Sequence, residues 1–114
     1  MRRDYKVYVE DVLASIKRIK SYTRSLSKNR FLADEKTVDT VVRNLEIIGE
    51  AVKALPNELR TQRPEVNWRG IAGLRDLLTH EYFRIERERI DEIVEQHLDP
   101  LEQAVGEILV QLDK

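Results

Sequence analysis

Apolar residues recur along most of this chain at intervals of three and four. Tyr5, Tyr8, Val9, Val12, Leu13, Ile16 and Ile19 form one such series, the stripe of a helix buried along one side. It predicts a first helix from about Tyr5 to Leu26, capped by Asp4 and ended by the segment Ser27 to Arg30. Val38, Val41, Val42, Leu45, Ile48, Val52 and Leu55 form a second stripe. That helix starts after Asp34 as N-cap and stops at Pro56, because proline disfavours helical geometry in the residue before it. Its polar side carries Glu35, Lys36, Asp39, Arg43, Glu46, Glu50 and Lys53. A short turn from Asn57 to Arg63 lies between Pro56 and Pro64. Asn67 reads as the cap of a third helix, Trp68 to about His80. A fourth begins near Glu86 and carries Ile90, Ile93, Val94 and Leu98. Asp99-Pro100 places a capping residue before a first-turn proline, which predicts a kink or a fresh start. The last segment shows Leu101, Val105, Ile108, Leu109 and Leu112. No stretch alternates with period two for long enough to be a strand. The expected fold is all-α, an antiparallel bundle of four to five helices.

Composition narrows the chemistry. The length of 114 residues fits one domain, and only four glycines and three prolines leave too few turns for a sandwich of strands. No cysteine is present, which excludes a disulfide framework, a thiolate metal site and a cysteine nucleophile. With His80 and His97 as the two histidines, a polyhistidine metal site within one chain is not expected, and neither a metal nor a cofactor is called for. MRRDYKVYVEDV offers no uninterrupted apolar stretch for a secretory signal, and no run elsewhere is long enough to span a membrane. The expected location is the cytoplasm.

The net charge of −1 hides an asymmetry. Residues 1–30 hold nine Lys/Arg against three Asp/Glu, whereas residues 86–114 hold three against nine. Between Asp11 and Asp34 there is no acid at all, while Lys17, Arg18, Lys20, Arg24, Lys28 and Arg30 accumulate. Two readings follow. Lys17, Arg18, Lys20 and Arg24 guide a polyanion such as RNA, or the basic run pairs with the acidic one.

Chemistry concentrates in NWRGIAGLRDLLTHEYFRI, residues 67–85. Arg75, Asp76, Thr79, His80 and Tyr82 fall within eight residues at the end of a short helix. Asp76 and His80 are four apart, as are Arg75 and Thr79, so each pair shares a helix face. A carboxylate at Asp76 can fix the imidazole tautomer. Arginine offers a planar fork for a phosphodiester, and histidine can take the proton from a ribose 2′-hydroxyl or return one to the leaving oxygen. These groups suffice for metal-free RNA cleavage by attack of the 2′-oxygen on phosphorus. One histidine does not easily serve as acid and base together; two copies of the segment facing each other across a two-fold axis would supply two arginines and two histidines. Gly70 and Gly73 leave a smooth patch for that contact, or else serve packing within one chain. The alternative roles are ordinary ones: His80 as a helix C-cap cation, Arg75 as an ion-pair partner of a glutamate, Tyr82 as a half-buried aromatic, Trp68 as packing, and His97 as structural or exposed.

RDLLTHEY resembles the R-x4-H-x-Y motif of the HepT-like toxins, a branch of the HEPN (higher eukaryotes and prokaryotes nucleotide-binding) ribonucleases. RNLEIIGEAVKALP (Arg43–Pro56) is similar to the family's second helix. PEVNWRGIAGLRDLLTHEYFRI (Pro64–Ile85) is similar to its active-site helix and following loop, and IVEQHLDPL (Ile93–Leu101) to its proline-marked C-terminal segment. The resemblance implies one HEPN/HepT-like domain over residues 1–114, with Arg75 and His80 as the catalytic pair. Asp76 stands where the family commonly has asparagine, and Thr79 supports the pair. It also implies a homodimer with the motif helices at its cleft, cutting RNA (tRNA in some members) without metal. Tyr82 matches the tyrosine that a cognate minimal nucleotidyltransferase antitoxin of the MntA type modifies with AMP. Two other readings stay open. One is a non-catalytic RNA- or nucleotide-binding protein, or partner of the nucleotidyltransferase, with the same fold; the other is a helical adaptor docking through its acidic end.

Overall fold

A computed structural model of the chain describes residues 4–81 and 85–113. All regular structure among them is helical: α1 Tyr5–Thr23, α2 Lys28–Ala33, α3 Glu35–Lys53, α4 Asn57–Thr61, α5 Trp68–Ala72, α6 Leu74–Glu81 and α7 Arg87–Leu112. The expected bundle is therefore present, with more breaks at its corners than the stripes predict.

The stripe of α1 is buried as expected through Val9, Val12, Ile16 and Ile19, and Asp4 accepts from the Lys6 amide at 3.1 Å. The helix ends at Thr23 rather than Leu26. The segment read as its terminator holds a helix of its own. Ser27 accepts from the Arg30 amide, and Phe31 anchors α2 in the core. Six residues with a single core anchor show no periodicity. Asp34 then ends α2 and starts α3, accepting from the amide and hydroxyl of Thr37 at 3.1 and 2.8 Å. Those two donors hold the Asp34 carboxyl below its ordinary range.

α3 is the hub. It packs against α1, α2, α5, α6 and α7, and buries Val38, Val41, Val42, Leu45, Ile48 and Val52. Its other buried residue of consequence is Gly49. A Cβ there would stand 2.9 Å from the Ile71 carbonyl oxygen, 3.0 Å from the Arg75 amide nitrogen and 3.2 Å from the Leu74 Cβ. Two of these neighbours are backbone, so the axes of α3 and of the α5–α6 pair approach closely because no side chain separates them.

The stretch expected as one helix from Trp68 to His80 is two. Asn67 caps the first, accepting from the Gly70 amide at 3.1 Å. Gly73 closes it, its amide meeting the Arg69 and Ile71 carbonyls, and α6 starts at the next residue. Glycine is among the weakest helix formers, and here it marks the break. Trp68 is buried and its indole donates to the Arg63 carbonyl at 2.9 Å, which fastens the preceding turn. At Pro100 the outcome is the reverse. α7 runs unbroken through it for 26 residues. Proline withholds one N–H, leaving the Gln96 carbonyl without its helical donor. Both residues are exposed, so water can satisfy that carbonyl, while Leu98, Leu101 and Val105 hold the helix to the core on the other side.

Specific pairs fix the directions. Lys6 near the start of α1 meets Asp113 after the end of α7, and Lys20 meets Asp99 and Glu102, so α1 and α7 are antiparallel. Glu50 and Glu46 of α3 meet Arg75 and Thr79 of α6, so these two are antiparallel as well.

Gly49 and Gly106 provide opposite tests of one substitution. Gly49→Ala forces backbone apart and is expected to destabilise by about 1–3 kcal/mol. Gly106, within α7, has nothing within 4 Å of its Cβ position. Gly106→Ala is expected to stabilise by roughly 0.5–1 kcal/mol through helix propensity. Urea unfolding midpoints check both, and a shift of the same sign for the two variants contradicts this account of Gly49.

Candidate active site

α6 carries Arg75, Asp76, Thr79 and His80, all exposed. Its buried residues Leu74 and Leu78 set the rotation of the helix against the core. The other face is thereby turned outward, with α3 alongside. Arg75 reaches across, its Nε 3.5 Å from Glu50 Oε2, while Nη1 lies 3.6 Å from Asp76 Oδ1. Thr79 Oγ1 donates to Glu46 Oε2 at 3.2 Å. Two residues four apart on α6 thus meet two residues four apart on α3. The sequence places Glu46 and Glu50 on the polar side of α3 but assigns them no role. Their matching spacing with Arg75 and Thr79 is the available signal, and it becomes readable only once the two helices are known to be antiparallel neighbours.

His80 is held differently from expectation. Its Nδ1 lies 2.9 Å from the backbone oxygen of Asp76, not from the carboxylate. A carbonyl oxygen can only accept, so Nδ1 carries the proton. The neutral ring therefore presents an unprotonated Nε2. The Asp76 carboxylate instead sits beside Arg75. No hydrogen bond joins Arg75 to His80 among the described residues; what they share is the exposed face of one helix. Ion pairs of 3.5–3.6 Å at a guanidinium that is 53% exposed are weak, and a phosphate can displace them. Tyr82, the expected modification site, lies outside the described residues.

The remaining expectations divide. Lys20 donates to Glu102 at 2.7 Å and to Asp99, tying α1 to α7. Lys17, Arg18 and Arg24 are exposed and form no ion pair among the described residues. Gly70 has a reason within the chain, because a Cβ on it would stand 2.5 Å from the capping amide of Asn67. Gly73 is open on that side, its nearest neighbours at 3.5 Å and beyond. His97 is half-buried and lines a small groove with Leu77, Arg89 and Ile93, between α7 and the α5–α6 pair.

Comparison with known proteins gives a consistent result. A family model described as ribonuclease HepT-like matches residues 12–108. A protein of Thermococcus cleftensis named "probable ribonuclease HepT" is 44% identical over 86 residues, covering 75% of this chain and 78% of its own. A Caldanaerobacter subterraneus protein named as a candidate RNase is 40% identical over 102 residues, 90% of this chain and 91% of its own. A Methanocaldococcus jannaschii protein, whose name joins a gamma-glutamylcyclotransferase to a candidate RNase, is 35% identical over all 114 residues. The chain spans about half (51%) of that relative's length. No solved structure matches.

The Lys20 contacts carry a pH signature. Hydrogen bonds donated by Lys20 to Asp99, then to Glu102, raise the Lys20 pKa above its ordinary value of 10.5. A raised ammonium pKa stabilises the fold below the unfolded value, and that contribution disappears as pH rises through the folded one. Lys20→Gln is expected to lower the unfolding free energy from urea titration slightly at neutral pH, by less than about 1 kcal/mol for a pair this exposed. The gap should close in alkali above the ordinary lysine range. A gap that persists unchanged there assigns the loss to the lysine stem rather than its charge.

Proposed function

Because the chain belongs to the HepT-like ribonuclease family, we propose that it is the toxin of a toxin–antitoxin pair. It acts in the cytoplasm as a homodimeric, metal-independent endoribonuclease on RNA, including tRNA. The observation that carries this reading is the contact of His80 Nδ1 with the Asp76 carbonyl, which leaves Nε2 for a substrate on the same helix as an exposed arginine.

In this reading Arg75 gives up its carboxylate contacts to a phosphodiester and offsets charge on the non-bridging oxygens. His80 Nε2 takes the proton of the ribose 2′-hydroxyl, and the 2′-oxygen attacks phosphorus. The bond to the 5′-oxygen breaks, and that oxygen takes a proton from His80 of the partner subunit. The products are a 2′,3′-cyclic phosphate and a 5′-hydroxyl. Asp76 and Thr79 support the arrangement, one through its carbonyl and the other through α3. Silencing follows from AMP transfer to Tyr82 by an MntA-type nucleotidyltransferase. A bulky anion two residues from His80 repels an incoming phosphate.

His80→Ala and Arg75→Ala are each expected to abolish growth inhibition while melting like the parent. Loss of the general base alone should slow cleavage by about 10²–10⁴-fold. Cleavage should persist in EDTA and leave cyclic phosphate ends. Should His80→Ala cut RNA at the parental rate, the catalytic reading gives way to a binding protein of the same fold. Tyr82→Phe is expected to remain toxic and to escape the nucleotidyltransferase. Silencing of the Phe variant without AMP transfer contradicts the proposed switch.

A further inference from the structure

A second cationic surface lies on the elements that precede the motif helix. It is a groove of about 570 Å³ lined by α4, α5 and the turn between them. Arg60, Arg69, Asn57, Thr61, Pro64 and the edge of Trp68 line it, with Ala72 as its wall towards α6. No carboxylate is among these residues. That contrasts with the α6 face, where Glu50, Asp76 and Glu46 surround the motif.

Neither guanidinium of the groove pairs with an acid among the described residues. The Arg69 side chain is exposed and makes no hydrogen bond among the described residues, while Arg60 Nη2 donates to Asn57 Oδ1 at 2.9 Å and its Nε is buried without a partner. Two unneutralised forks in a concave surface suit phosphate oxygens. The position in the fold says which phosphates. Arg75 follows Arg69 by six residues, across the break at Gly73 between α5 and α6. On the opposite side of the seam α3 runs from Glu50, the partner of Arg75, towards Asn57 of α4. The two helices that carry the candidate active site, α3 and α6, are thus joined along the chain to α4 and α5, which line the groove.

We propose that this groove is an RNA subsite, in which Arg60 and Arg69 hold backbone phosphates of single-stranded RNA flanking the link positioned at Arg75 and His80. Asn57 orients Arg60, and the Pro64 ring and Trp68 edge give a sugar or base an apolar wall. The proposal rests on the ribonuclease reading for its occupant, and the two are separable by experiment.

The probe is a short single-stranded RNA with 2′-O-methyl groups, which no 2′-hydroxyl attack can cut, titrated by fluorescence anisotropy against the full chain over a range of salt. Arg60→Gln combined with Arg69→Gln should weaken binding about tenfold. It should also reduce the slope of log affinity against log salt by about 1.4, for two phosphates on a single strand. Lys36→Gln with Arg43→Gln removes the same charge from the exposed face of α3 and should leave both quantities near those of the parent. Equal weakening by the two pairs, or no effect of the first, overturns the subsite. If the first pair melts early, Arg69→Gln alone, exposed and free of side-chain hydrogen bonds among the described residues, carries the test with half the slope change. Cleavage of unmodified RNA is scored separately. Binding that depends on Arg60 and Arg69 without cleavage by the parent sinks the nuclease reading and keeps the groove. Cleavage with binding indifferent to both arginines does the opposite, and a parent that binds no RNA sinks both.

Discussion

The close approach of α3 to the α5–α6 backbone at Gly49 is the constraint from which the rest of this structure follows. A Cβ at that position would meet the Ile71 carbonyl, the Arg75 amide and the Leu74 Cβ. The residue whose backbone is touched is thus the one that carries the motif arginine. With that spacing, Glu50 and Glu46 reach Arg75 and Thr79 directly. A wider spacing would leave the exposed face of α6 without neighbours, and its side chains would be positioned only by their own helix.

Charge follows the same logic of neighbours. The basic N-terminal and acidic C-terminal thirds lie on antiparallel helices, so Lys20 meets Asp99 and Glu102, and Lys6 meets Asp113. Arg63 reaches Glu107 across another junction. The exposed lysine pairs contribute little stability each, but together with the Arg63 pair they decide which cations remain available. Lys17, Arg18 and Arg24 on α1 and its C-terminal turn remain, as do Arg60 on α4 and Arg69 on α5. A net charge near zero is therefore compatible with local surfaces that attract a polyanion.

The motif itself combines restraint with access. His80 is oriented by a backbone carbonyl, a partner that no side-chain substitution at Asp76 removes. Arg75 is held by carboxylates at distances that do not compete strongly with phosphate. Glu50 of α3 and Asp76 give the arginine a resting position without burying it, which suits a residue whose ligand is an external anion.

The periodicity of apolar residues by itself determined the all-α class, the buried faces of the long helices and the caps at Asp4, Asp34 and Asn67, because 3.6-residue spacing and short side-chain acceptors are local properties. The sequence expected Arg75 and His80 together at the end of one helix; the break at Gly73 puts Arg75 in the first turn of α6 and His80 in its last. Tertiary structure decided what depends on residues distant in sequence. Phe31 is worth a helix only because a core is there to receive it. Pro100 is tolerated because Leu98 and Leu101 are packed on one side and Gln96 faces water on the other. Trp68 to His80 divides at Gly73, and Glu46 and Glu50 become neighbours of the motif because α3 and α6 run antiparallel at a separation that a glycine permits. A sequence read along one dimension carries the period of each helix, but which acid stands beside which base is a property of how the helices are stacked.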